Sequence, residues 1–180
     1  MRSFYPALLF LFLIPLGTWA AEISPPFQSV HSVTATIINT KNEPIGKAVF
    51  TETVRGVQIE LTVEKLPPGK HGLHIHENGI CTPPDFKSAG EHYNPNGQAH
   101  GFNHLGGPHA GDLPNLIVGK DGKAHVELFD PNVILNLGSN ALLKQGGTSL
   151  VIHAGKDDEI SQPSGNSGKR IACAVIELPK

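Results

Sequence analysis

Two histidines separated by one residue are the first candidate metal ligands in the sequence. His74 and His76 alternate with Leu73 and Ile75. In a β-strand alternate side chains share a face, so the two imidazoles would lie about 7 Å apart on one face while the aliphatic residues face the core. The pattern predicts two ligands of one metal on the outer surface of a β structure. Taken alone it is weak, since histidines on solvent-facing strand positions are common.

A second short segment places another histidine in the same way. Leu150 and Ile152 alternate with Val151 and His153. The period of two turns Leu150 and Ile152 toward the core and His153 outward. His153 is therefore a third candidate ligand on the outer face of the β structure.

The remaining candidates lie in residues 77–114, a segment that no strand or helix pattern explains. It contains His92, His100, His109 and Asp112, and seven of the ten histidines fall between positions 71 and 109. Imidazole and carboxylate together suit tetrahedral zinc, whereas a set of imidazoles alone suits copper(II). The composition predicts two metals. For any single histidine, a solvated loop position without a role remains the alternative.

These ligands need a β scaffold, and the rest of the sequence predicts one. Strand-length segments recur between turn signals, whereas helical periodicity is hard to find. The predicted strands are residues 33–38, 48–54, 57–63, 72–76, 116–118, 124–128, 149–153 and 171–178. Turns at Arg55-Gly56 and Asp121-Gly122 predict antiparallel hairpins. The long segments 77–114 and 155–169 are where function is expected.

The N-terminus resembles a signal peptide. Arg2 precedes an apolar run, and Thr18-Trp19-Ala20 is a small-residue cleavage pattern. A membrane anchor is the alternative, but Pro15 and Gly17 break the run. We therefore expect residues 1–20 to be removed, leaving one domain over residues 21–180, with no membrane association afterwards.

The charge and the cysteines agree with an exported protein that does not bind nucleic acid. The formal net charge is −2 for the 180 residues and −3 without residues 1–20, which gives no support to a nucleic-acid partner. Cys81 and Cys173 are the two cysteines, and exported proteins with an even number usually pair them. We predict one disulfide. Two buried free thiols would be the first choice only for a cytosolic protein.

Five motifs, in order along the chain, resemble the copper-zinc superoxide dismutase family. They are His71-Gly-Leu-His-Ile-His-Glu77, Gly90-Glu-His-Tyr-Asn-Pro95, His109-Ala-Gly-Asp112-Leu, Val151-Ile-His153 and Gly168-Lys-Arg-Ile-Ala-Cys173. The resemblance covers most of the chain after residue 20. It implies an all-β, eight-stranded antiparallel Greek-key barrel or sandwich of immunoglobulin-like architecture with two long functional loops.

The resemblance also implies one copper and one zinc per chain and a role for each ligand. Copper would be bound by His74, His76, His92 and His153, and zinc by His92, His100, His109 and Asp112. His92 would bridge the two metals. The implied activity is conversion of superoxide to dioxygen and hydrogen peroxide by alternating reduction and oxidation of copper, in antioxidant defence. His92 would store the proton needed to form peroxide.

Further residues take roles by the same resemblance. Arg170 would guide the anion above copper, Asp157 would bridge the two metal loops, and Cys81 and Cys173 would form the disulfide. The alternatives are a solvated charge for Arg170 and an ordinary turn carboxylate for Asp157. His71 is expected to make structural hydrogen bonds.

Other features of the chain leave alternatives open. His31, His104 and His125 have no assigned role, although His104 is a candidate extra ligand. The segment 81–90 resembles the bacterial periplasmic branch, which implies a periplasmic or secreted protein and leaves a monomer and a homodimer open. Two further functions remain alternatives: a metal-binding or copper-delivery protein without enzyme activity, and a disulfide-stabilised β-sandwich serving adhesion or assembly.

Overall fold

Eight antiparallel strands make up a single sheet in the part of the chain that the structure describes. The computed structural model describes Met1 and residues 31–178. The strands are β1 (Ser32–Asn39), β2 (Pro44–Thr53), β3 (Gly56–Val63), β4 (Gly69–His76), β5 (Asp112–Val118), β6 (Ala124–Asp130), β7 (Thr148–His153) and β8 (Arg170–Ile176). Their order in the sheet is β5-β4-β7-β8-β1-β2-β3-β6. The sheet curls into a nearly closed barrel, which confirms the all-β prediction.

Most of the segment interpreted as a signal peptide, residues 2–20, lies outside the described residues. Within the described residues no helix is long and apolar enough to cross a membrane.

Alternating burial fills the barrel with aliphatic side chains. On β3, Val57, Ile59, Leu61 and Val63 are buried, while Gln58, Glu60 and Thr62 are exposed. This is the pattern of a sheet with one face toward the core and one toward solvent.

The turn at Asp121-Gly122 forms, but the strands that it joins do not pair. The Gly119 N–H donates to the Lys123 carbonyl over 2.8 Å and closes the turn. The strands before and after this turn, β5 and β6, lie at opposite ends of the sheet order, because β5 bonds to β4 and β6 bonds to β3. The predicted hairpin pairing is therefore wrong, and this position is the gap in the barrel.

Strand β5 begins earlier than predicted, and this change fixes one candidate ligand. The strand starts at Asp112 rather than at Leu116, and Asp112 lies opposite His74 on β4. Pro114 is accommodated because β5 is an edge strand, where a missing N–H leaves no ladder bond unmade. The segment 77–114 also contains a single turn of 3₁₀ helix, Lys87–Ala89.

The histidines of β4 and β7 lie on the outer face of the barrel, as strand parity predicts. Leu73 pairs with Ile152 and points into the main core, whereas His74 pairs with Val151 and points outward. His74 is nevertheless fully buried, because the long segments 77–111 and 154–169 cover this face of the barrel.

A disulfide fastens the first of these segments to the barrel wall. Cys81 and Cys173 are bonded with their Cα atoms 5.7 Å apart, which confirms the predicted pair. Next to it Phe86 and Ala89 pack with Val151 in a small apolar cluster outside the barrel. The disulfide and this cluster hold the segment that carries His92.

We predict that replacing both cysteines by serine lowers the free energy of unfolding of the metal-free protein by about 4 to 5 kcal/mol, because the bond closes a loop over a sequence separation of 92 residues. Urea unfolding followed by circular dichroism measures the change. A loss below about 1 kcal/mol would contradict the prediction, since chain entropy would then not be the main contribution.

Candidate metal centre

Four buried histidines converge on one point outside the barrel. His74, His76, His92 and His153 each offer a ring nitrogen, and the four ligand atoms lie within 4.8 Å of one another. The Nδ1 of His74 and the Nε2 atoms of the other three are buried without any hydrogen-bond partner. Unpartnered buried polar atoms are rare in folded proteins. Four of them facing one another suit a metal ion.

The opposite nitrogen of three of these rings is held by a fixed acceptor. His74 Nε2 donates to Asp157 Oδ2 over 2.7 Å, and His76 Nδ1 donates to the Gly90 carbonyl over 2.9 Å. His153 Nδ1 donates to the Gly168 carbonyl over 3.1 Å. Because a carboxylate or carbonyl oxygen only accepts, these bonds assign the proton and leave the unpartnered nitrogen with a free lone pair.

A second group of ligand atoms surrounds the Asp112 carboxylate. Asp112 Oδ1 lies 3.0 Å from the Nδ1 atoms of His92 and His100 and 3.3 Å from that of His109. The Nδ1 atoms of His92 and His109 are 3.4 Å apart. A tetrahedron with zinc–ligand bonds of about 2.0 to 2.2 Å has edges of about 3.3 to 3.6 Å. Of the four distances above, 3.3 and 3.4 Å lie in this range and the two of 3.0 Å are slightly shorter, so the atoms suit tetrahedral zinc.

His74 also lies near this second group but is not one of its ligands. One of its nitrogens comes within 4.8 Å of ligand atoms of His92, His100 and Asp112. Its Nε2 is engaged with Asp157, and its Nδ1 belongs to the first group. His109 is the better fourth ligand, because its Nδ1 is already in contact with Asp112 and His92.

His92 belongs to both groups. Its Nδ1 contacts Asp112, whereas its Nε2 is one of the unpartnered atoms of the first group. A β-bridge to His76 fixes its backbone against β4. The Nδ1 of this ring thus faces the second ligand group and its Nε2 faces the first, as a bridge between two metals would require.

Burial keeps the first group of histidines neutral. It lowers the pKa of His92 from 6.5 to about 4 and that of His153 to about 3. It also lowers the pKa of His74 and, well below its usual value, that of His76. Since a metal ligand must be unprotonated, these rings are ready to bind metal at neutral pH.

The two carboxylates of the site stay ionised. Burial opposes the charge of Asp112, but hydrogen bonds from His100, His109 and His92 outweigh burial and hold its pKa far below the usual value. Asp157 is shifted in the same direction by His100 and His74. In the metal-free protein the same bonds to Asp112 and Asp157 outweigh burial and raise the pKa of His100 to about 9.

Asp157 joins the two groups. Its Oδ1 accepts from His100 Nε2 over 3.1 Å, and its Oδ2 accepts from His74 Nε2. Asn115 holds its backbone by a reciprocal pair of bonds: Asp157 N–H to Asn115 Oδ1 over 2.8 Å, and Asn115 Nδ2 to the Asp157 carbonyl over 3.0 Å. The two ligand groups are therefore connected by one carboxylate.

Arg170 lies at the start of β8 with its guanidinium anchored by the disulfide-linked segment. Nη1 donates to the Phe86 carbonyl over 2.8 Å, and Nη2 donates to the Gly90 carbonyl over 2.6 Å. Residue 170 is opposite His153 in the β7–β8 ladder. The charge is thus held beside the first ligand group.

The other histidines lie away from the two groups or support them indirectly. His71 contacts the His153 and Pro67 carbonyls, each over 2.8 Å, in a structural role. His104 is exposed and accepts a bond from Gly106 N–H, while His125 contacts Thr62 on the exposed wall of β6 and β3. His31 is exposed just before β1. None of the last three reaches a ligand atom among the described residues.

Sequence reasoning missed three residues that hold the site together. They are Asn115, Gln162 and Gly165. Gly165 has a positive φ, and a methyl group there would overlap Asp157 Oδ1. Nothing in the local sequence marks these positions: Asn115 and Gln162 contact partners 42 and 62 residues away, and glycines such as Gly165 are frequent in this segment.

A Greek-key β-barrel with two adjoining groups of candidate metal ligands on its outer wall defines a class of binuclear metalloproteins. The profile of the copper/zinc superoxide dismutase (SODC) family matches residues 44–176. The chain belongs to this family.

Relatives and solved structures agree. Superoxide dismutase [Cu-Zn] 2 of Aquifex aeolicus is 50% identical over 156 residues, covering 86% of this chain and 91% of that protein. The Cu/Zn superoxide dismutase of Brucella abortus superposes with a TM-score of 0.67 at 33% identity, covering 81% and 99% of the two chains. A SOD-like protein of Bacillus subtilis gives a TM-score of 0.77 at 38% identity, covering 79% and 97%.

We predict that the metal-free protein loses stability as the pH falls from about 6.5 to about 5. The unfolded chain takes up protons on histidine near pH 6.5, whereas folded His92 and His153 do so only near pH 4 and 3. Each such histidine lowers the free energy of unfolding by at most about 1.4 kcal/mol per pH unit in this window. Urea unfolding at several pH values measures the slope, and His153→Asn is expected to make it shallower. An unchanged slope in this variant would contradict the assignment.

Proposed function

We propose that the chain disproportionates superoxide at a copper and zinc centre formed by these two ligand groups. Copper would be held by His74, His76, His92 and His153, and zinc by His92, His100, His109 and Asp112. The observation that carries the proposal is the set of four buried, unpartnered imidazole nitrogens facing one another. All-imidazole coordination suits copper(II), and mixed imidazole–carboxylate coordination suits zinc.

The reaction requires one electron to pass between two anions. One superoxide gives up an electron and leaves as dioxygen, and a second takes up that electron and two protons and leaves as hydrogen peroxide. Copper, when bound, supplies the one-electron couple, since zinc has no redox chemistry. The chain's own residues bind and orient the metals, attract the anion and handle protons.

His92 is the residue placed to move a proton. Its Nε2 faces the first ligand group and can hold a proton whenever it is not a ligand, while Nδ1 stays against Asp112. His92 and His109 also line a cleft of about 460 Å³ together with Lys144. His92 therefore borders solvent-accessible space on one side, although its Nε2 is buried among the first ligand group.

Arg170 is the residue placed to attract the anion. It lines a cleft of about 820 Å³ with two lysines, Lys87 and Lys169, and two acids, Asp85 and Glu91. Lys87 lies 3.5 Å from Asp85, so part of its charge is offset. The chain as a whole is acidic, so the attraction comes from these local cations and from the bound metals.

We further propose that the protein works outside the cytoplasm, in the periplasm or as a secreted protein, after residues 1–20 are removed. The apolar N-terminus and the disulfide both support export. Intact mass of the protein isolated from the exporting cell tests the cleavage, and native mass spectrometry of the same sample separates a monomer from a homodimer. A mass that retains residue 2 would contradict removal.

A metal-binding protein without activity is the second candidate, because a fold does not by itself fix a function and the same two ligand groups could hold metals without turnover. Metal content and superoxide consumption are measured on the purified mature chain, with and without copper reconstitution. Copper-dependent consumption supports the dismutase. Two bound metals without consumption would favour the binder.

We predict that Arg170→Ala lowers the dismutation rate at low ionic strength and flattens its salt dependence, because the local cation is lost while both metals stay bound. Pulse radiolysis over a salt series, with metal analysis, measures this. Arg170→Lys cannot reproduce the two-carbonyl contact. Because it keeps the charge, it is expected to keep most of the salt dependence. An unchanged rate and salt profile in Arg170→Ala would remove Arg170 from the mechanism.

A further inference from the structure

Gln162 makes a reciprocal pair of hydrogen bonds with the backbone of His100. The His100 N–H donates to Gln162 Oε1 over 2.8 Å, and Gln162 Nε2 donates to the His100 carbonyl over 2.9 Å. The second N–H of the same amide donates to the Ile160 carbonyl over 3.0 Å. The two bonds with His100 join the segments 77–111 and 154–169, and the bond to Ile160 fixes the amide within its own segment.

His100 depends on these bonds because no strand or helix holds its backbone. It lies in the irregular segment between β4 and β5, where a ladder cannot fix the main chain. Its ring is fully buried between two carboxylates, with Nδ1 toward Asp112 and Nε2 toward Asp157. A small shift of the backbone would move Nδ1 away from the other ligand atoms, because only the Cβ atom separates the ring from the main chain.

Further contacts close to Gln162 also join the two segments. Asn103 N–H donates to the Glu159 carbonyl over 3.0 Å, and Asn103 Nδ2 donates to Glu159 Oε2 over 3.0 Å. Gly101 lies so close to the Glu159 carbonyl that it has no room for a methyl group. Gln162 is therefore one of several neighbouring residues of the segment 154–169 that contact the segment 77–111. Asp157, which contacts the His100 ring, lies on the same segment.

We propose that Gln162 is a positioning residue for the zinc ligand His100, so that the segment 154–169 controls how firmly zinc is held. The inference rests on the zinc assignment made above. Gln162 touches neither a metal nor the substrate, and it acts through the backbone of His100. Residues that orient metal ligands in this way typically change metal affinity by about 10- to 100-fold when they are replaced.

The experiment compares three variants of the fully metallated mature protein: Gln162→Ala, Gln162→Glu and, as a matched control, Gln145→Ala. Gln145 is an exposed glutamine in the turn before β7. Zinc release into a chromogenic chelator gives the rate, and the visible spectrum of protein with cobalt(II) in the zinc site reports its coordination. Copper absorption and thermal unfolding of the metal-free variants are measured in parallel.

We expect Gln162→Ala to release zinc about 10- to 100-fold faster than wild type, with a changed cobalt spectrum and unchanged unfolding of the metal-free protein. Gln162→Glu has the same size but turns a carboxylate oxygen toward the His100 carbonyl, so it is expected to release zinc at least as fast as Gln162→Ala. Gln145→Ala should match wild type.

Two results would overturn the inference. One is a release rate for Gln162→Ala within about twofold of that for Gln145→Ala, and the other is wild-type behaviour of Gln162→Glu, which would mean that only side-chain size matters. These failures are distinct from failure of the proposed function, because wild-type protein that binds no zinc would remove the zinc assignment before any variant is compared.

Discussion

Three of the four histidines in the first ligand group have one ring nitrogen tied to a fixed acceptor, and the rest of the site depends on this pairing. The Asp157 carboxylate holds His74, and backbone carbonyls hold His76 and His153. An imidazole that donates from one nitrogen presents a lone pair at the other. Which nitrogen faces the metal is therefore decided before metal arrives, by residues that are not ligands.

This arrangement is costly in the metal-free protein, and the barrel supports it. A buried polar atom without a partner costs about 1 to 3 kcal/mol, and four of them face one another here. His74, His76 and His153 come from strands β4 and β7, where ladder bonds and the aliphatic core fix the backbone. The proposed zinc ligands His100 and His109 lie on an irregular segment instead. Their positions must be fixed by contacts between segments, such as those of Asp157 and Gln162.

Sequence patterns were sufficient where the local period decides orientation. Strand parity placed His74, His76 and His153 on the outer face, because a period of two cannot turn them inward while Leu73 and Ile152 fill the core. Parity did not reveal that β5 begins at Asp112, since Pro114 interrupts the pattern of an edge strand.

The contacts between the two long segments could not be predicted in the same way. They depend on backbone turns such as the left-handed conformation at Glu159, and on partners about 60 residues apart, such as Gln162 and His100. Single-sequence reasoning has no periodicity to follow there, and only family resemblance pointed to Asp157.

The Gly90 carbonyl contacts both a candidate copper ligand and the residue proposed to attract the anion. It accepts from His76 Nδ1 over 2.9 Å and from Arg170 Nη2 over 2.6 Å. A carbonyl oxygen has two lone pairs, so both bonds can be made at once. The Arg170 guanidinium and the His76 ring are thus both held by one carbonyl oxygen. That atom lies on the segment anchored by Cys81 and Phe86, so the disulfide that stabilises the fold also helps to hold the Arg170 guanidinium near the His76 ring.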